Sequence, residues 1–185
     1  QPTAALQLVA KEILHISDIV KDAVSNTIEI VKTEDISQLE GLLEKGKNIK
    51  SLTDKTTEYL ALLFSSGTMT EQQAAQTASL MYILSDVERM GSLSVEIAKC
   101  IQEKEQNNYK YTSEAMEELQ KSLRTLEKMF IDSMKALQGD KSVQIDKMVK
   151  RKDKIMDLDI KMRKAHLQRV NKGKCKASLT APFTN

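Results

Sequence analysis

Apolar side chains recur at every third or fourth position through most of the chain, and this is the period of an amphipathic α-helix. The pattern predicts five helices separated by short polar segments, with Pro182 suited to the first turn of a sixth. The predicted spans are Ala4–Val31, a second helix between the segments 33–40 and 65–68, a third from Thr70 to the polar run 102–108, a fourth from Thr112 or Ser113 to Gly139, and a fifth after Asp140.

Side chains that can cap a helix mark two of these starts. Thr70 is followed three residues later by Gln73, which is the spacing of a capping box at the start of the third helix. The second helix has Asp35 or Ser37 as its candidate cap, and Glu40 completes a second capping box with Ser37.

Long helices joined by short connections are typical of an antiparallel bundle. The order of the helices predicts one complete three-helix unit over residues 1–108, followed by a second unit over residues 109–185 whose last helix is missing. The break near Gln106–Tyr111 is the candidate boundary between them. The predicted fold class is therefore all-α.

One stripe of the third helix breaks its apolar pattern. Its members at helical spacing are Met81, Leu84, Glu88, Gly91, Val95 and Ala98. A buried carboxylate must be paired, hydrogen-bonded, metal-bound or in a wet groove, because an unpaired buried charge is costly. Arg89 lies about 100° further around the helix, so the partner of Glu88 is expected on another helix. Gly91 fits a place where a neighbouring backbone comes close. A polar layer that fixes helix register and a ligand site both remain open.

Composition narrows the class of protein. Hydrophobic residues make up 41% of the 185 residues and charged residues 29%, as in a folded globular protein. No apolar run approaches the length of a membrane span, roughly 18 residues. Cys100 and Cys175 cannot build a disulfide framework or a zinc site alone, and they are interpreted as buried or incidental thiols. The chain starts without Met, and we interpret it as a fragment of something longer.

Charge is unevenly distributed. Lys147–Lys176 holds twelve Lys or Arg against three Asp, a balance of +9, so the whole-chain charge of +2 leaves −7 elsewhere. Such a basic end can bind nucleic acid, an anionic membrane surface or an acidic partner, or it can simply be solvated. No aromatic side chain interleaves the basic ones, so stacking on single-stranded bases has no platform.

The sequence contains no set of residues at a spacing typical of a catalytic or metal site. His15 and His166 have no second ligand at zinc-site spacing, and Asp153 with Asp157 is too small a set for a hard cation. No nucleophile–base constellation or phosphate-binding glycine loop is present. We therefore predict no catalytic residues, no cofactor and no enzymatic activity.

Two stretches resemble the PhoU family. The segment 85–99, "SDVERMGSLSVEIAK", is similar to its signature through Asp86, Glu88, Arg89, Gly91, Ile97 and Ala98. The segment 155–175 is similar to the PhoU-like domain fused behind bacterial sodium/phosphate cotransporters, through Arg163, His166, Arg169, Asn171, Gly173 and Cys175. The opening stretch 2–13 resembles that family's lead-in from the membrane domain.

The resemblance implies a non-catalytic regulatory domain at the cytoplasmic side of the cell membrane. Its expected partners are the membrane domain of the same transporter and a second copy of itself, through the predicted fourth and fifth helices. The residues of expected functional role are Glu88, Arg89, Gly91, Arg163, His166 and Arg169. The basic end is a candidate contact to the membrane surface, and no nucleic-acid partner is expected.

Family members can gather a metal cluster with acidic motifs on inner helix faces. By the resemblance, those motif positions fall here on Gly46 and Lys50, Glu88 and Ser92, and Lys152 and Met156. One carboxylate among six positions predicts no metal site. Lys50 or Lys152 is then the expected partner of Glu88, and truncating one partner beside a semi-buried charge commonly costs about 3–5 kcal/mol.

Two alternatives stay open. One is a free-standing PhoU-type adaptor of phosphate signalling, which would lack an apolar multi-span segment upstream. The other is a helical nucleic-acid-binding module acting through the basic end, for which duplex binding would depend steeply on salt.

Overall fold

The computed structural model describes residues 2–108 and 110–138. Over these residues the chain forms four α-helices and no strand. The helices are α1 (Pro2–Thr33), α2 (Leu39–Ser65), α3 (Glu71–Gln106) and α4 (Ser113–Leu137). The predicted all-α helix bundle is confirmed for this part of the chain. The predicted fifth and sixth helices lie outside the described residues.

Two of the predicted helix starts are present as capping structures. At α3 the Thr70 backbone N–H donates to Gln73 Oε1 at 3.0 Å, and the Gln73 N–H donates to Thr70 Oγ1 at 3.1 Å. At α4 the Thr112 hydroxyl oxygen accepts from the Ala115 N–H at 3.1 Å. These side chains satisfy backbone donors that have no partner inside the helix.

The predicted start of α2 is wrong. Its N-cap is Gln38, which makes no side-chain capping bond, and the helix begins at Leu39. Asp35 instead accepts the Ser37 backbone N–H at 3.0 Å, which closes a turn before the helix. Because Ser37 is part of that turn, it cannot form a capping box with Glu40. The same turn hydrogen bonds lower the pKa of Asp35.

The long helix α3 is the centre of the bundle. It packs against α1, α2 and α4, and α1 also contacts both α2 and α4. The largest fully buried side chains come from all four helices: Leu6, Ile13, Ile16, Ile30, Leu42, Ile49, Leu60, Leu84, Met90, Ile97, Ile101 and Leu119. The core is thus continuous across the predicted unit boundary, and the division into residues 1–108 and 109–185 stays a prediction.

Within the described residues, no helix combines the length and the apolar character that crossing a membrane requires.

Candidate functional site

The two motif pairs of the first unit meet in one groove between α2 and α3. Gly46 and Lys50 lie on α2, Glu88 and Ser92 lie on α3, and all four line a groove of about 400 Å³. The other lining side chains are Leu43, Lys47, Ile49, Val95, Glu96 and Lys99. The resemblance placed these four residues only by sequence alignment, and packing of α2 on α3 brings them together.

Two glycines let α2 and α3 approach closely at this groove. A Cβ added at Gly46 would lie 3.0 Å from Val95 Cγ2 on α3. A Cβ added at Gly91 would lie 3.1 Å from Ile49 Cδ1 and 3.2 Å from its Cγ2. Each helix therefore presents a branched side chain to the glycine of the other. The expectation that a neighbouring backbone comes close at Gly91 is wrong, because the atoms nearest to the added Cβ belong to the side chains of Ile49 on α2 and Val20 on α1.

Glu88 is held from α2, as predicted for Lys50. The Lys50 ammonium lies 3.7 Å from a Glu88 carboxylate oxygen and 3.7 Å from Asp54, one turn further along α2. The other candidate partner, Lys152, lies outside the described residues. Lys50 thus places a positive charge between two carboxylates at the mouth of the groove.

Glu88 is half-buried. Its side chain is 36% exposed and that of Lys50 is 70% exposed. An ion pair this exposed is screened by water and contributes about 0–1 kcal/mol, so the cost of about 3–5 kcal/mol expected beside a semi-buried charge does not apply. Glu88 lies in a wet groove, which is one of the four environments open to it.

The carboxylate that is buried on α3 is Asp86, at 2% exposure. In the sequence, Asp86 is notable only as part of the PhoU resemblance, because it lies outside the stripe that contains Glu88. The buried face of α3 is wider than one stripe since the helix contacts three others. Ile83, Val87 and Met90 are also buried. Asp86 shares a helical face with them, and this spacing is the sequence signal that Asp86 points inward.

Arg89 and Gly91 lie on either side of the buried Met90. Arg89 is half-buried, and its Nε has no hydrogen-bond partner among the described residues. Gly91 is buried in the contact between α2 and α3. The other three residues of expected functional role, Arg163, His166 and Arg169, lie outside the described residues.

The groove does not fit a metal cluster. Its motif positions provide one carboxylate and one hydroxyl, whereas a hard cation takes about six oxygen ligands. The Lys50 ammonium next to Glu88 would repel a cation. Over residues 2–108 and 110–138 no group of three or more His, Cys, Asp or Glu is placed to hold a metal ion.

A second charged cluster, which sequence reasoning missed, joins the ends of α1 and α3. The buried Lys104 ammonium lies 2.8 Å from a Glu34 carboxylate oxygen and 3.3 Å from Glu105. Burial by itself lowers the pKa of Lys104, but the hydrogen bonds and charges of the two glutamates outweigh it and raise this pKa above 10.5. Burial also raises the pKa of the neighbouring Glu103 carboxyl.

The segment that links α3 to α4 is anchored next to this cluster. The buried Tyr111 hydroxyl donates to the backbone carbonyl of Cys100. Cys100 is a buried thiol, as expected, and its Sγ donates to the Glu96 carbonyl at 3.4 Å, whereas Cys175 lies outside the described residues. The end of α3 is therefore tied to α1 by charge and to the start of α4 by a hydrogen bond.

Comparison with known proteins gives one match. No curated protein and no solved structure is significantly similar to the chain. The model of the PhoU domain family matches residues 13–101. The matched range contains most of α1, all of α2 and α3 almost to its end, and therefore both walls of the groove. Residues 13–101 are similar to a PhoU domain.

Proposed function

We propose that the chain is the PhoU-like regulatory domain of a sodium-dependent phosphate cotransporter and that it modulates transport through protein contacts at the cytoplasmic side of the membrane. The PhoU family is a regulatory family without enzymatic activity. The observation that carries the proposal is the match of residues 13–101 to the PhoU domain. That match supports a phosphate-related regulatory or adaptor role.

The transporter assignment has its support in the sequence. The segments 2–13 and 155–175 resemble the version of the domain that is fused to a cotransporter. Under this proposal residues 109–185 form a second, incomplete unit, and Arg163, His166 and Arg169 belong to its motif. The membrane domain of the same transporter is the expected partner, with the basic segment Lys147–Lys176 next to the anionic membrane surface.

The groove supports a role in protein contact. Its residues offer a charged rim made by Lys47, Lys50 and Lys99 with Glu88 and Glu96. Its floor is apolar, made by Leu43, Ile49 and Val95. Apolar centres with polar rims are typical of protein interfaces.

The test is phosphate uptake by cells that express the complete gene. One version carries a stop codon ahead of the codon for Gln1, and the control carries the exposed α4 substitution Lys128→Gln. We expect sodium-dependent phosphate uptake from both, with a changed rate in the truncated version only. The proposal is contradicted if neither version supports sodium-dependent uptake, or if truncation leaves the rate unchanged.

The free-standing adaptor is the alternative within the same family. It requires a gene without an apolar multi-span segment upstream of Gln1, so reading those codons separates the two. The nucleic-acid alternative depends on Lys147–Lys176, and it requires duplex binding whose affinity falls steeply between low and physiological salt.

A further inference from the structure

An apolar groove on the outer face of α1 and α2 is not explained by the proposed function. It has a volume of about 330 Å³, and its lining among the described residues comes from these two helices. We call it the α1–α2 face, defined by Leu8, Glu12, Leu52, Lys55 and Tyr59. Leu8 is 63% exposed and Tyr59 is 43% exposed, so large apolar side chains project from it into water.

Exposed apolar side chains are concentrated on these two helices. Of the six large hydrophobic side chains exposed among the described residues, five lie on α1 or α2 and one, Ile131, lies on α4. The five are Leu8, Leu14, Tyr59, Leu62 and Phe64. Of these five, Leu8 and Tyr59 line the groove, and exposed apolar side chains that meet in one groove are typical of an association site. Association through the fourth and fifth helices stays a prediction, because the fifth helix lies outside the described residues.

The charges on the two walls of the groove have opposite sign. Glu12 projects from α1 and Lys55 projects from α2. Within the described residues neither of them takes part in an ion pair of its own chain. Both charges are therefore available to a partner that presents a lysine opposite α1 and a glutamate opposite α2.

A second copy of the same face meets that requirement. A two-fold axis that runs along the groove, parallel to the helices, places α1 of one copy over α2 of the other and leaves every residue at its own height. Glu12 and Lys55 line the same groove. Glu12 of each copy would therefore face Lys55 of the other copy, which gives two equivalent ion pairs. An axis perpendicular to the helices would instead place like helices over each other and bring like charges together.

We propose that the chain forms a two-fold symmetric dimer through the α1–α2 face. Leu8, Leu52 and Tyr59 of both copies fill the centre of a shared four-helix arrangement, and two Glu12–Lys55 pairs flank it. This inference does not depend on the proposed function, because it follows from the apolar groove and the charges of its walls.

The test is a charge swap in the whole 185-residue chain, read by light scattering and sedimentation. The wild type is expected to have twice the monomer mass of 20.8 kDa. Glu12→Lys and Lys55→Glu each replace two attractive pairs by two repulsive ones, so each alone should weaken the dimer about thirtyfold. Lys128→Glu on α4 is the matched control and should leave the dimer intact.

Mixing the two variants gives the decisive result. A Glu12→Lys chain offers two lysines and a Lys55→Glu chain offers two glutamates, so an equimolar mixture should recover the dimer at a concentration where each variant alone is monomeric. The double variant Glu12→Lys/Lys55→Glu should dimerise with itself for the same reason. An ion pair within one chain cannot be restored by mixing.

Three outcomes would overturn the proposal: a monomeric wild type at high concentration, a dimer that is insensitive to both single variants, or single variants that stay monomeric when mixed. A dimer that resists the swaps but is lost on Ile131→Glu would move the interface to α4. Circular dichroism of each variant checks that the fold is kept. Lys55 is exposed and Glu12 is half-buried, and neither makes an ion pair among the described residues, so no loss of helix is expected.

Discussion

At the scale of single residues, the close contact between α2 and α3 depends on two glycines, Gly46 and Gly91, which have no side chain. Gly46 accepts Val95, and Gly91 accepts Ile49, so the two helices pack closely at these two positions. A glycine inside a helix costs about 0.5–1 kcal/mol relative to alanine. At Gly91 this cost is offset by the packing it permits, whereas Gly41 has no atom within 4 Å of an added Cβ.

The first prediction compares the same substitution at two sites. Gly41→Ala should stabilise the protein by about 0.5 kcal/mol through helix propensity alone. Gly91→Ala should destabilise it by about 1 kcal/mol, because the new methyl group would meet Ile49 and overpacking outweighs propensity. Urea denaturation measures both. Equal stabilisation by the two substitutions would show that Ile49 moves aside at no cost.

The second prediction concerns the pair at the groove mouth. A double-mutant cycle with Lys50→Met and Glu88→Gln should give a coupling free energy of about 0.2–1 kcal/mol, because both side chains are well exposed. The coupling should shrink in 1 M salt, where exposed charges are screened. The urea midpoints of the four proteins provide the measurement. A coupling above about 3 kcal/mol would mean that the pair is buried in solution.

At the scale of helices, contacts between helix ends help to hold the bundle together. Glu34 follows α1 with a positive φ of 59°, a conformation that is unfavourable for a residue with a side chain. Its backbone N–H donates to the Ile30 carbonyl at 2.8 Å, which closes the end of α1. Its carboxylate then contacts Lys104 at the far end of α3. One residue thus ends α1 and ties it to α3.

The third prediction tests this tie. Glu34→Gln should destabilise the protein by about 1–2 kcal/mol at pH 7, because the buried Lys104 loses its shortest charged contact. The pKa of Lys104 is raised in the folded state, so the stabilisation is complete below 10.5 and is lost as pH rises through the folded-state pKa.

The difference between Glu34→Gln and wild type should therefore be constant from pH 7 to 9 and should narrow above pH 10.5. Urea unfolding at each pH measures it. Glu29→Gln, an exposed substitution on the same helix, is the matched control and should change stability little at any pH. A difference that stays constant above pH 10.5 would contradict a role for the Lys104 charge.

At the scale of the whole molecule, α3 organises the described bundle and sets the chemistry of the groove. Since α3 contacts the other three helices, its buried face is wide and Glu88 lies at the edge of that face. The groove is consequently open to water and carries an ammonium group where the PhoU resemblance places an acidic residue.

The fourth prediction is that the purified chain holds no stoichiometric metal. Elemental analysis of protein prepared without chelators should show iron, zinc and manganese well below one atom per chain. A chelator should also leave the thermal midpoint unchanged, because no folding free energy depends on a metal. Near-stoichiometric metal that is lost on Glu88→Gln would contradict this.

Much of the fold was determined by the sequence itself. Helical period, the Thr70–Gln73 capping box and the Thr112 cap are local features, since they depend on residues within one or two turns of each other. They predicted the existence of all four described helices and the starts of α3 and α4. Lys50 was also named in advance as a candidate partner of Glu88.

Tertiary structure alone decided the rest, because burial depends on how many neighbours a helix has. The sequence pattern of α3 could not show that three helices surround it, so it did not distinguish the half-buried Glu88 from the buried Asp86. The turn made by Asp35 displaced the predicted cap of α2. Lys104 reads as a surface residue in a polar run, and only the packing of α3 on the end of α1 buries its ammonium against Glu34.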